Sequence, residues 1–216
     1  MIRPEERMQH VLQLLDAHYG GDEKEDTGSR DPFRTLIGCV LSHRTRDANS
    51  RRAAEALFQT VNGPEDILEL DPDELRSLIR CSGFYNQKAR NIRAICRVLL
   101  DEYKGYVPDD RDRLMSLPGV GPKTADIVMS HAYQRPAIAV DVHVEKVAKR
   151  LGLVHSDAGP EEVKKTLESL VPPQRFRFVD NAFVRQGKEY CRSRNPRCGE
   201  CPLRAACRNP QDKSKD

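Results

Sequence analysis

Apolar residues recur along most of this chain at the spacing of one helix face. Met8, Val11, Leu12 and Leu15 repeat at i, i+3, i+4 and i+7. Ile92, Ile95, Cys96, Leu99, Leu100 and Tyr103 do the same, as do Ala125, Val128, Met129 and Ala132, and Val144, Val147, Ala148 and Leu151. Start signals fall between these runs. Asp31-Pro32 and Asp71-Pro72 each pair a capping carboxylate with a proline at the first helical position, and Glu74 completes a capping-box pattern on Asp71. Asn62-Gly63-Pro64, Gly121-Pro122 and Gly159-Pro160 mark further breaks or starts. The one strand-like alternation, Ala137 to Val142, is short and has no evident partner. The pattern predicts an all-α chain of about ten short helices, with a frayed polar tail from Gln211 to Asp216.

Composition narrows the class. A length of 216 residues suits one large domain or two small ones. Charged residues make up 32% and hydrophobic ones 38%. No apolar run approaches the roughly 18 residues of a membrane span, so no membrane association is expected. The helical periodicity argues against disorder. MIRPEERMQH lacks the apolar run of a secretion signal, which predicts a cytoplasmic protein.

The net charge of +3 conceals an uneven distribution. From Pro173 to Arg208 there are nine basic and three acidic residues, a net of +6, which leaves −3 for the rest. A basic end on a slightly acidic protein suits a polyanionic partner. Four of the seven cysteines fall in the same stretch: Cys191, Cys198, Cys201 and Cys207, spaced C-x6-C-x2-C-x5-C. Without a secretion signal, such a cluster reads as metal ligands rather than disulfides. Soft thiolates suit zinc or an iron–sulfur cluster, and a single tight pair flanked by one Cys on each side favours the cluster. Cys39, Cys81 and Cys96 are scattered in or beside apolar stretches and read as small core residues.

Residues 114 to 126 read Leu-Met-Ser-Leu-Pro-Gly-Val-Gly-Pro-Lys-Thr-Ala-Asp. A helix is expected to end near Leu117 and the next to start at Pro122. Between them Gly119, Val120 and Gly121 form a turn in which both glycines allow positive φ and leave the backbone bare. N–H groups at the start of the second helix can then hold a phosphate oxygen without reading base sequence. Lys123 stands in the first turn of that helix, where the dipole disfavours its ammonium form, and is a candidate amine nucleophile. Asp141 lies among apolar residues 18 positions on; it is a candidate functional carboxylate and also a candidate cap for a helix starting near His143.

The LPGVGPKTA hairpin, the VDxHV stretch beyond its lysine and the cysteine tail together resemble the endonuclease III family of DNA glycosylase/AP lyases. The resemblance runs from about Pro32 to Cys207. It implies a two-lobed, all-α helix–hairpin–helix glycosylase fold. Residues 28–135 would form a six-helix barrel lobe, with the hairpin at about 111–134. Residues 1–27 and 136–216 would form the second lobe, carrying a [4Fe–4S] cluster on Cys191, Cys198, Cys201 and Cys207. The implied partner is double-stranded DNA with a damaged or abasic nucleotide flipped from the stack, met by a monomer. Lys123 matches the family's nucleophile and Asp141 its essential carboxylate. Arg192, Arg194 and Arg197, on the loop between the first two cysteines, would contact phosphates.

In the family two loops fill the gap left by the flipped base. By position these are residues 83–86, with Phe84 as the wedge, and residues 41–47, where Arg44 stands in place of the usual Gln. His43, Thr45 and Arg46 also depart from the usual pattern. The implied activity is removal of oxidised pyrimidines followed by β-elimination. A monofunctional mismatch or alkyl-base glycosylase is the alternative, set against Lys123. A non-catalytic iron–sulfur DNA-binding module is a further one, set against the joint presence of Lys123 and Asp141.

Overall fold

A computed structural model describes residues 3–20 and 31–210. The expected frayed tail, Gln211 to Asp216, lies outside them. Among the described residues the regular structure is helical throughout, and no helix is long and apolar enough to cross a membrane. The chain divides into two compact units, Ser29–Arg135 and Met1–Gly28 with Pro136–Asp216.

The first unit holds α2 (Pro32–Ser42), α3 (Asp47–Thr60), α4 (Pro64–Glu69), α5 (Pro72–Leu78), α6 (Tyr85–Tyr103), α7 (Arg111–Ser116) and α8 (Pro122–Ile127). Local chemistry sets the starts. Asp31 accepts the Arg34 N–H at 2.6 Å and Asp71 the Asp73 N–H at 2.7 Å, each ahead of a first-turn proline. The long helix α6 is central, with α2, α4 and α5 against it. Its buried stripe is Ala89, Ile92, Ile95, Cys96 and Leu99. The periodicity of Ala125 to Ala132 suits a regular α-helix, but the chain widens into a π-turn over Val128–Ala132. There Tyr133 turns its hydroxyl onto the Val107 carbonyl.

The second unit holds α1 (Pro4–Tyr19), α9 (Val142–Leu151), α10 (Pro160–Leu170) and α11 (Phe176–Glu189), followed by short 3-10 turns at Cys198–Glu200 and Arg204–Ala206. Its core gathers Met8, Val11 and Leu15 with Val144, Val147, Leu151, Val163, Leu167, Val179 and Phe183. Helices α9 and α11 approach closely at Gly187, where a β-carbon would stand 2.6 Å from Cβ of His143.

The alternation at 137–142 does not form a strand. Carboxylates from neighbouring helices satisfy its backbone: Ile138 N–H donates to Glu168 at 3.0 Å and Ala139 N–H to Asp180 at 3.3 Å. Residues 137–141 therefore carry no regular structure and pair with no strand. Of the three scattered cysteines only Cys96 is a core residue; Cys39 and Cys81 are half-buried.

Candidate active site and nucleic-acid interface

The glycine turn joins α7 to α8. Gly119 takes φ +75°, a conformation that favours glycine, and a β-carbon there would lie 2.5 Å from Nδ2 of Asn91, whose side chain would have to move aside. Gly121 differs from expectation: its φ is −106°, which any residue adopts, and a β-carbon would meet nothing within 4 Å. Gly121 is thus required neither by the backbone nor by the protein interior. What it leaves is open space beside the first N–H groups of α8. Val120 between them is buried and anchors the turn.

The two helices of the hairpin are tied by a fork that the sequence did not reveal. Arg111 donates Nε to Oδ1 of Asp126 at 2.9 Å and Nη2 to Oδ2 at 3.3 Å, and Asp126 is buried. Lys123 is exposed in the first turn of α8, and Thr124 beneath it is buried. Nε2 of His43 meets the Thr124 hydroxyl at 3.0 Å. Burial, then the charges of Lys88 and Lys123, hold the His43 imidazole below its usual pKa.

Two loops of this unit touch. The α2–α3 loop carries Arg44 at φ +50°, and the α5–α6 loop carries Phe84 at φ +57°. A β-carbon on Gly83 would be 2.9 Å from the Arg44 carbonyl oxygen. Phe84 is 61% exposed, which excludes a core role, and the Arg44 guanidinium lies over its ring.

In the other unit, Asp141 caps α9. One carboxylate oxygen accepts the N–H groups of His143 at 2.8 Å and Val144 at 2.9 Å. The cap aligns the carboxylate with the start of α9.

The four clustered cysteines are half-buried and none forms a disulfide; Cys191, Cys201 and Cys207 pack on the apolar core. Burial, with the neighbouring sulfurs adding to it, pushes the Cys201 and Cys207 thiols up. Donors point at the sulfurs: Gln186 Nε2 at 2.9 Å from Cys201, and Arg150 Nη1 at 3.4 Å from Cys191. Arg150 also donates to the Arg192 carbonyl at 2.9 Å, docking this segment on α9. Among the described residues no three His, Cys, Asp or Glu side chains close around a single-ion site. Four soft, half-buried sulfurs, two of them with N–H donors directed at them, nevertheless suit a thiolate-bound metal group. On the loop between the first two cysteines, Arg192, Arg194 and Arg197 are exposed. Arg197 pairs with Glu200, so its charge is partly offset.

A glycine turn of this geometry between two short helices, in an all-helical chain, defines a helix–hairpin–helix protein. Residues 37–173 match the HhH-GPD superfamily, described as base excision DNA repair protein. Endonuclease III of Thermotoga maritima is 42% identical over 177 residues, covering 82% of this chain and 83% of that protein. A solved non-covalent endonuclease III–DNA complex superposes with a TM-score of 0.88 at 38% identity, covering 97% of both chains. A trapped endonuclease III–DNA covalent intermediate does so at 0.86 and 39%, covering 97% of this chain and 98% of that one. The chain belongs to the endonuclease III family of the HhH-GPD superfamily.

Proposed function

We propose that this chain is a bifunctional base-excision enzyme that removes oxidised pyrimidines from duplex DNA and cuts the strand at the abasic site. The observation that carries this reading is the setting of Lys123, exposed in the first turn of α8 directly after a glycine turn whose outer side is open. The turn would hold a backbone phosphate near the flipped nucleotide, and the Lys123 amine would attack its C1′. The C1′–N bond breaks and the base leaves, taking up a proton. Ring opening gives a Schiff base on Lys123. It acidifies the C2′ hydrogen; loss of that proton expels the 3′ phosphate, and water then returns the free amine. Asp141 is the proposed carboxylate that steadies positive charge on the sugar, and its two cap bonds support a fixed orientation for it. The trapped covalent intermediate of an endonuclease III relative supports a pathway through a covalent protein–DNA bond.

Cys191, Cys198, Cys201 and Cys207 are the proposed ligands of a [4Fe–4S] cluster, which would supply a rigid, thiolate-bound anchor for the loop bearing Arg192, Arg194 and Arg197. That loop, the hairpin turn at Gly119, Val120 and Gly121, and the tips Arg44 and Phe84 are the proposed DNA contacts.

Borohydride reduces a Schiff base to a stable amine. Wild-type protein with abasic duplex and borohydride is therefore expected to yield a covalent complex on denaturing gels, and Lys123→Ala none. Release of an oxidised pyrimidine by wild type with no trapped complex would overturn the lyase step and leave a monofunctional glycosylase.

A further inference from the structure

Lys88 lies in the first turn of α6 and is only 5% exposed. Its ammonium group donates to four acceptors: the carbonyls of Leu41 and His43, both at 2.7 Å, and the hydroxyls of Thr45 and Ser82, both at 2.8 Å. Three of these lie at or just beyond the end of α2, and one belongs to the α5–α6 loop. An ammonium group has three N–H bonds, so all are engaged and one is shared between two of the four acceptors. Every one of these partners is neutral. Burial lowers the pKa to about 8, so the charge is held at a cost and dipoles alone solvate it.

The same point carries further cross-links. Ser82 donates to the Leu41 carbonyl at 2.9 Å, and Gly83 N–H donates to the Thr45 hydroxyl at 2.9 Å. Just outside this knot, Arg44 and Phe84 both sit in left-handed backbone conformations. For residues other than glycine such conformations persist only where the surroundings impose them.

We propose that Lys88 is a positioning residue: its buried ammonium ties the α2–α3 loop to the α5–α6 loop, so that Arg44 and Phe84 enter the duplex gap together as one pre-formed wedge. The inference rests on the base-flipping reading above. Lys88 touches no DNA in this arrangement. It removes the need to order two loops when DNA binds, and a loss of that ordering falls on binding rather than on the chemical step.

Two variants separate the role of the ammonium from that of folding. Lys88→Met keeps the stem and removes the charge. The double variant Thr45→Val, Ser82→Ala keeps Lys88 and removes two of its acceptors. With abasic duplex, both are expected to raise KM about tenfold while kcat stays within about threefold of wild type. A 2-aminopurine placed opposite the abasic site reports entry of the wedge on binding alone, with no turnover needed. Its response is expected to be lost in both variants. This signal tests the clamp independently of the trapping experiment, so a chain that binds without cutting still reports on Lys88. Wild-type KM and an unchanged 2-aminopurine response in the double variant would overturn the proposal, whether or not Lys88→Met folds. A loss confined to kcat would overturn it as well.

Discussion

The guanidinium of Arg44 lies 4.7 Å from the centroid of the Phe84 ring, joining the tips of two loops that are about 40 residues apart in sequence. An exposed stack of this kind contributes about 0.5–1 kcal/mol. It is a weak hold by itself, and the buried Lys88 beneath it is the stronger one.

Because Phe84 is 61% exposed, Phe84→Ala is expected to change the unfolding free energy by no more than about 1 kcal/mol, the size of the lost cation–π contact. Its affinity for abasic duplex is expected to fall about tenfold, within the range for one lost aromatic–base stack. Arg44→Gln, which restores the residue usual in the family, is expected to leave stability similarly intact and to alter the preference among bases opposite the lesion. Denaturant unfolding beside a binding titration over the four opposite bases checks both. Equal binding by wild type and Phe84→Ala would remove Phe84 from the interface.

The two hairpin glycines separate folding from binding. Gly119→Ala places a β-carbon at positive φ and 2.5 Å from the Asn91 amide. It is expected to cost at least about 1 kcal/mol of stability from the backbone conformation alone. Gly121→Ala meets no protein atom within 4 Å. It is expected to fold as wild type yet to bind duplex DNA severalfold more weakly at every sequence, as befits a phosphate contact. Wild-type DNA affinity in Gly121→Ala would show that no backbone group of the ligand approaches there.

The cysteine cluster makes a compositional prediction. Purified wild-type protein is expected to be brown and to carry about four iron and four sulfide per chain. Cys201→Ser is expected to lose them together with much of its DNA affinity, because the loop bearing Arg192 and Arg194 loses its anchor. Colourless protein holding one zinc would replace the cluster with a single-ion site.

Much of this molecule is legible in the amino-acid order because the interactions concerned are local. Asp31, Asp71 and Asp141 cap helices that begin within one to three residues of them. Gly119 and Pro122 delimit a turn only a few residues long. The spacing of Ile92, Ile95, Cys96 and Leu99 gives the buried face of α6 directly. The four cysteines and the lysine after the glycine turn stand out by residue type alone.

Tertiary structure decided the rest, and in each case the reason is a partner remote in sequence. Lys88 reads in the chain as one more polar residue of an amphipathic helix; its Leu41, His43 and Thr45 partners are 43 to 47 residues away. Arg111 and Asp126 lie on different helices and have no local sign of pairing. The stretch 137–140 alternates like a strand, yet Glu168 and Asp180, from α10 and α11, take the hydrogen bonds a neighbouring strand would have made. A buried charge or an unpaired backbone group must find a partner somewhere in the fold. Sequence shows that requirement only as a residue type; the packing of helices determines which distant atoms meet it.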